Sequence, residues 1–168
     1  MRNQSGISLI EMLVVIAIFA FVGTIVTRAI VLTLQGTQKS TSIVSARENL
    51  DYAMGIIERQ IRNANSITSD CFGNPSTEID YVDQDGSPGS FSCQGTGSIG
   101  SYIASGSATP ANSLTNSSVE ITGCSFTCSA TGTTPPVVSI SLTVQNAATS
   151  GIGGGDVSSS TQIDLRNY

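Results

Sequence analysis

The sequence contains no histidine, and this absence removes several kinds of chemistry at once. Histidine is the usual general base for a Ser or Cys nucleophile and a common metal ligand. No Ser or Cys has another identifiable base beside it, and the four cysteines include no C-x-x-C pair, which disfavours a zinc site. We therefore predict that the protein is not an enzyme and that it holds no cofactor.

Positive charge is also scarce in the sequence. There are 7 Lys and Arg against 12 Asp and Glu, which gives a formal net charge of −5. An acidic surface disfavours a broad nucleic-acid interface, because the phosphate backbone carries the same sign of charge. We therefore predict no nucleic-acid partner.

Charge of either sign is nearly absent from one long stretch near the N-terminus. Over the 21 residues from Ile7 to Thr27, Glu11 is the only ionisable side chain. A helix of this length spans roughly 30 Å, the thickness of the hydrocarbon core of a bilayer. The stretch therefore predicts a transmembrane helix. A carboxylate in hydrocarbon costs on the order of 3 kcal/mol, so Glu11 is expected to have a partner and a role.

Two simpler interpretations of this stretch explain less. A cleaved secretory signal peptide would use Arg2 as its charged region, but no A-x-A-like site follows, since residues 27–29 contain an arginine. A plain single-span anchor accounts for the length and leaves Glu11 unexplained.

Gly6 and the following residues ISLIEMLVVIAIF resemble the cleavage and methylation segment of type IV prepilins and type II secretion pseudopilins. Ile7 and Ser8 replace the phenylalanine and threonine that are usual there. The resemblance implies a leader at residues 1–6, prepilin peptidase cleavage between Gly6 and Ile7, and N-methylation of Ile7. It also implies that Glu11 docks subunits by pairing with the amine of Ile7, in its own subunit or in a neighbour.

The resemblance further implies a location and a set of partners. Before assembly the chain would be a single-pass membrane protein with a cytoplasmic N-terminus and an extracytoplasmic head. Afterwards it would lie in a filament at the cell surface or in the periplasm. The implied partners are other major and minor pilins or pseudopilins, the prepilin peptidase and the inner-membrane assembly platform.

After the apolar stretch the pattern becomes one-sided. Apolar residues recur at helical spacing, which predicts an amphipathic helix packed on a core: Ile43, Ala46, Leu50, Ala53, Met54, Ile57, Ile61 and Ala64. Within it, LDYAMGIIERQIRNA resembles the equivalent segment of PilW-type minor pilins. The expected divisions are a transmembrane and assembly helix at 7–30, an amphipathic helix at 31–66 and a β-rich head at 67–168.

Short β-prone runs between turn signals fill the rest of the chain. The predicted strands are Glu78–Val82, Ser118–Thr122, Ser125–Cys128, Val137–Gln145 and Thr161–Arg166. In VVSISLTV, apolar residues alternate with Ser and Thr, as in a half-buried strand. The resulting prediction is a type IV pilin-like α+β fold, with a long N-terminal helix on an antiparallel sheet.

All four cysteines follow the apolar stretch, and in an exported domain this distribution predicts disulfides. Three connectivities are possible. We prefer Cys71 with Cys93, and Cys124 with Cys128. The second pair requires a turn or bulge, because a straight strand would hold these two residues about 13 Å apart.

Two apparent ligand motifs have simpler interpretations. Asp80, Asp83 and Asp85 could offer oxygen atoms to Ca²⁺, but the full calcium-loop spacing is absent and Asp85-Gly86 is an ordinary turn signal. The G-x-G-x-x-G run at residues 95–100 is followed by further Gly and Pro residues, and no βαβ unit surrounds it, so we predict a surface loop.

Three functions fit the resemblance. The first is a minor pilin or pseudopilin that helps initiate or prime assembly of a type IV pilus or a type II secretion-like filament. The second is a major pilin that forms the filament body. The third is a tip subunit for surface adhesion or DNA uptake.

Overall fold

The computed structural model describes residues 8–106, 112–130, 135–147 and 155–165. In these residues one helix, α1 (Leu9–Arg62), precedes nine strands. The strands are β1 (Ser66–Ile67), β2 (Phe72–Ser76), β3 (Glu78–Val82), β4 (Pro88–Gln94), β5 (Tyr102–Ser105), β6 (Asn112–Ser113), β7 (Val119–Ser129), β8 (Val137–Asn146) and β9 (Val157–Asp164). The chain divides into two compact units, Met1–Gln38 and Lys39–Tyr168.

The part of α1 in the second unit buries one stripe of apolar side chains. Its buried residues are Ala46, Leu50, Ala53, Met54, Ile57 and Ile61, at the three- and four-residue spacing of one helix face. Ile43 packs against the same core from a half-buried position, and Ala64 is buried just after the helix ends. The predicted stripe is confirmed.

The strands form two antiparallel sheets around this stripe. The first has the order β1-β3-β4-β5-β6, and the second has the order β2-β7-β8-β9. A single core cluster joins Leu50 and Ile57 of α1 to Ile79 and Phe91 of the first sheet and Ile140 of the second. The predicted class, a long apolar N-terminal helix packed on antiparallel sheets in an α+β, type IV pilin-like architecture, is confirmed.

Strand β8 has the cleanest alternation in the structure. Val138, Ile140, Leu142 and Val144 are buried, and the Ser and Thr residues between them are exposed or half-buried. It pairs with β7 on one side and with β9 on the other. The alternation predicted for VVSISLTV is therefore confirmed, because β8 has one face on the core and the other toward solvent.

Other strand bounds differ from the sequence-based ones. β3 has the predicted limits, whereas the two runs predicted at 118–122 and 125–128 form one strand, β7. An irregularity between Ile121 and Gly123 places an extra residue in β7, so the pairing with β8 continues through a bulge. The last strand is Val157–Asp164 instead of Thr161–Arg166, and Arg166 lies outside the described residues.

Side-chain contacts of Tyr81 tie the first sheet to the helix. The Tyr81 hydroxyl donates a hydrogen bond to Oε1 of Gln60 on α1 at 2.6 Å, and its ring stacks on Phe91 with centroids 5.4 Å apart. The ring lies over Gly89, the cross-strand neighbour of Tyr81. A Cβ at residue 89 would approach the Tyr81 ring to 2.5 Å, so this position requires glycine or a shift of the ring.

Candidate functional site on the exposed helix

The first part of α1 exposes apolar side chains along its whole length. From Leu9 to Leu34 every residue is exposed, including Phe19 at 74% and Leu32 at 68%. The helix contains a stretch long and apolar enough to cross a membrane, and none of that stretch is buried by the rest of the chain. A patch of this size would be unusual on a soluble monomer. It fits a membrane anchor.

Hydroxyl groups in this part of the helix are satisfied locally. Thr24, Thr27, Thr33 and Thr37 each donate a hydrogen bond to a main-chain carbonyl three or four residues earlier, at 2.7 to 2.9 Å. Bonds of this kind remove the cost of leaving a hydroxyl unpaired in an apolar environment. These threonines are therefore compatible with a position in hydrocarbon.

Glu11 lies in the first turn of α1. The carbonyl of Ser8 accepts the first helical hydrogen bonds, from the main-chain N–H of Glu11 at 3.0 Å and of Met12 at 3.2 Å. Ser8 thus occupies the N-cap position and Glu11 the N3 position, which is the S-x-x-E spacing of a capping box. A carboxylate here is also favourable at the positive end of the helix dipole.

The S-x-x-E spacing from Ser8 to Glu11 is visible in the sequence and is typical of a helix N-terminus. The spacing favours the start of a helix at this point, which is a separate matter from the docking role that the resemblance implies for Glu11. The two roles depend on different properties of the side chain. Capping needs a hydrogen-bonding group, which Gln also provides, whereas pairing with an amine needs the negative charge.

Gly6 and Ile7, the expected cleavage and methylation residues, lie outside the described residues. Cleavage, methylation and the pairing of Glu11 with an amine therefore remain predictions. Within the described part of the first unit, residues 8–38, Glu11 and Arg28 are the only charged residues. About 26 Å of helix separates them, so they do not pair with each other.

The four cysteines form two disulfides in the second unit. Cys71 pairs with Cys128 at a Cα separation of 4.4 Å, beside the junction of β2 and β7 in the second sheet. Cys93 on β4 pairs with Cys124 on β7 at a Cα separation of 6.4 Å. The second disulfide therefore joins one sheet to the other.

This connectivity corrects the preferred pairing of Cys71 with Cys93 and Cys124 with Cys128. Both Cys124 and Cys128 lie on β7 after its bulge, where each residue has its own partner on β8. No turn separates them, and four residues of strand keep their Cα atoms about 13 Å apart, too far for a bridge. Each therefore pairs with a cysteine from another segment.

The three calcium candidates lie on and after β3. Asp83 starts the turn between β3 and β4, and its Oδ1 accepts hydrogen bonds from the main-chain N–H of Asp85 and Ser87, both at 2.9 Å. Asp80 is an exposed residue of β3. Among the described residues no three His, Cys, Asp or Glu side chains are grouped as a metal site would require. The turn predicted at Asp85-Gly86 is confirmed.

The glycine-rich run at residues 95–100 forms a surface turn, as predicted. Gly95, Gly97 and Gly100 have positive φ values, which glycine adopts without strain. The N–H of Gly97 donates a hydrogen bond to the carbonyl of Ile121, and Ser101 Oγ accepts one from the N–H of Ile121. The run therefore docks on the start of β7.

Comparison with known families identifies the N-terminal segment. Residues 1–27 match the family model described as the prokaryotic N-terminal methylation motif. No curated protein and no solved structure matches the chain. The match includes the predicted leader residues, Glu11 and the exposed helix as far as Thr27, and it indicates a type IV pilin-like prepilin.

Proposed function

We propose that the chain is a structural subunit of a type IV pilus or a type II secretion-like filament, and specifically a minor pilin or pseudopilin that helps initiate assembly. One observation carries the proposal. An apolar helix segment that the described residues of the chain leave exposed carries a carboxylate in its first turn, inside the residues that match the methylation motif. Lipid covers this helix before assembly, and the helices of neighbouring subunits cover it afterwards.

In this proposal residues 1–6 are a leader, 7–30 a transmembrane and assembly helix, 31–66 the amphipathic helix of the head, and 67–168 an extracytoplasmic β-rich head. A prepilin peptidase cleaves between Gly6 and Ile7, and the new amine of Ile7 is methylated. The resulting cation lies at the positive end of the helix dipole, which is unfavourable by itself. Glu11, one turn along, offsets it.

Docking uses the same charge pair between subunits. A carboxylate in an apolar environment is costly unless an opposite charge satisfies it, and few axial positions of two packed apolar helices provide one. The amine of a neighbour's Ile7 provides it at one register only. The pair therefore sets the axial position of a subunit, while packing of the apolar surface supplies most of the attraction.

The proposed rank within the filament is that of a minor subunit. The chain is present in few copies near the tip and acts together with other minor subunits. The similarity of LDYAMGIIERQIRNA to PilW-type minor pilins supports this rank. A Glu11 that docks subunits also needs a neighbouring subunit whose N-terminal amine it can reach. A major pilin would carry the same N-terminal segment, so copy number is the property that separates the two functions.

Two measurements test the proposal. Mass spectrometry of the native protein should find a mature chain that begins at a methylated Ile7; a start at Met1 or near Ala29 would contradict it. Quantitative mass spectrometry of purified filaments should then find the chain at a small fraction of the main subunit, and its deletion should reduce the number of filaments. A chain that makes up most of the filament would be a major pilin.

A further inference from the structure

The two sheets have four edge strands, and three of these carry features that discourage pairing with another chain. β1 and β6, at the edges of the first sheet, are two residues long. β2, at one edge of the second sheet, contains Pro75 and an irregular register. Short edges, proline and bulges are the usual protections of a sheet edge. Within the described residues these three edges are therefore poor templates for pairing with a strand of another chain.

β9, the other edge of the second sheet, has none of these protections. It is eight residues long, contains no proline, and pairs with β8 from Val157 to Asp164 without a register shift. Strands of this length expose a continuous row of hydrogen-bonding groups on the side away from the sheet. No strand in the described residues covers that side of β9.

The alternation of hydrogen bonds along β9 identifies which main-chain N–H and C=O groups point away from β8. The N–H of Leu165 donates to the carbonyl of Pro136, which continues the β8–β9 register by one residue. Antiparallel partners alternate between bonded and non-bonded pairs, so odd-numbered residues of β9 bond to β8. The N–H and C=O groups of the even-numbered residues therefore face outward: Ser158, Ser160, Gln162 and Asp164. All four residues are exposed.

The charged side chains described on β9 and directly before it are acidic. From Asn63 to Leu165 the sequence has eight acidic residues and no Lys or Arg, so no lysine is available there to protect an edge. Asp156 and Asp164, both exposed, stand at the two ends of the free edge. Arg166 lies outside the described residues. A strand that adds to this edge is favoured if it brings positive charge to both ends.

A second copy of the chain does not meet this requirement. Two β9 strands paired antiparallel about Ser160 would place each Asp164 opposite Asp156 of the other copy, and like charges directly opposite are destabilising. The whole region from Asn63 to Leu165 is acidic in both copies. This like-charge pairing disfavours a second copy of the chain as the occupant of the β9 edge.

We propose that the free edge of β9 binds an extended segment of a different filament subunit by strand addition, and that this segment carries Lys or Arg near both ends of the paired stretch. Main-chain hydrogen bonds to the even-numbered residues supply the attachment, and Asp156 and Asp164 select the partner. The proposal rests on the proposed function only for the statement that the partner is a filament subunit.

Photo-crosslinking in cells that make the full chain tests this interface. The photoreactive residue p-benzoylphenylalanine replaces Ser160 on β9 or, as the matched control, Asn74 on the protected edge of the same sheet. Irradiation should join position 160, and not position 74, to a second subunit. Mass spectrometry of the adduct should locate the link in a segment that contains Lys or Arg.

Substitutions in the crosslinking background separate strand addition from mere proximity. Gln162→Pro removes an outward N–H and no bond to β8, so the adduct yield should fall about tenfold or more. Gln162→Ala keeps the N–H and should keep the yield. If Gln162→Pro lowers the amount of folded protein, the surface variant Asp156→Asn/Asp164→Asn replaces it and should also reduce the yield several-fold.

Four results would overturn the proposal: no adduct at position 160, an adduct of two copies of this chain only, an adduct with a protein outside the filament, or a yield that neither set of substitutions changes. Processing at Ile7 and recovery in filaments are measured in the same cells. A missing adduct from a chain that is processed and incorporated disproves the β9 interface alone and leaves the proposed function standing.

Discussion

The two parts of α1 form one helix and have opposite relations to the rest of the chain. Residues 9–38 expose their apolar side chains on all faces, whereas residues 39–62 bury a single stripe against two sheets. Leu32 is 68% exposed and Leu50 is 1% exposed. The second part packs against residues of its own chain, whereas the described residues provide no packing partner for the first. Substitutions should therefore separate assembly from folding.

A large effect on the second unit should come from removal of the disulfide that joins its two sheets. Cys93→Ala/Cys124→Ala opens a link between residues 31 apart, which by loop entropy is worth about 3 to 4 kcal/mol. The melting temperature of the full chain in detergent should fall by about 10 °C or more. Far-UV circular dichroism after the melt should still show the helical signal of residues 9–38. An unchanged melting temperature would contradict the assigned pairing.

A matched pair of leucines compares the two parts directly. Leu50→Ala should destabilise the second unit by about 2 to 5 kcal/mol, because it leaves a cavity among buried side chains. Leu32→Ala removes the same atoms from an exposed site and should leave the denaturant midpoint of that unit unchanged. Urea titration of both purified variants measures the difference. Equal midpoints for the two variants would contradict the difference between the two parts of α1.

Glu11 provides the reverse test, in which assembly changes and folding does not. Glu11→Leu and Glu11→Gln should both reduce incorporation into filaments by about 100-fold. Each variant leaves the amine of a neighbour's Ile7 without its partner, and an unpaired charge in an apolar site costs on the order of 3 kcal/mol. The melting temperature of the second unit should stay at the wild-type value. Quantitative immunoblots of sheared filaments measure incorporation.

The glutamine variant separates the two roles of Glu11. Gln preserves the S-x-x-E/Q spacing of the capping box and removes only the charge. If Glu11→Gln assembles normally while Glu11→Leu does not, then capping is what assembly requires, and the charge-pair account is wrong.

The smallest effect should be the pH response of Tyr81. Burial, and then the nearby Asp83 carboxylate, raise the pKa of this phenol above its ordinary value of 10.0. The folded state therefore favours the neutral phenol, so this stability is fully present below pH 10 and is lost as the pH rises further. Tyr81→Phe should flatten the decline above pH 10 and, through the lost bond to Gln60, cost about 1 kcal/mol at pH 8. Tyr52→Phe, at an exposed site, should change neither in parallel urea titrations.

Local patterns were enough to predict α1, its buried stripe, β3 and β8. In each case one face of a single element decides which residues are apolar, and that periodicity is visible in the sequence. β2 and β4 were missed because FGNPS and PGSFSCQ contain Gly, Pro and Ser where a strand usually has branched residues. They are strands because the edges of β7 and β3 bind their main-chain groups.

By itself the sequence determined the properties that depend on one segment: an apolar run of membrane length, a carboxylate at its head, and the period of the helix that follows. Only the tertiary structure decided which cysteines pair and which long strand lies at a sheet edge among the described residues. Both depend on which strands become neighbours. Cys93 meets Cys124 because β4 and β7 enclose the same core, and β9 is an edge because β8 has its other side on β7. Spacing along the chain carries no record of those neighbours, because main-chain hydrogen bonding between strands is the same for every pair.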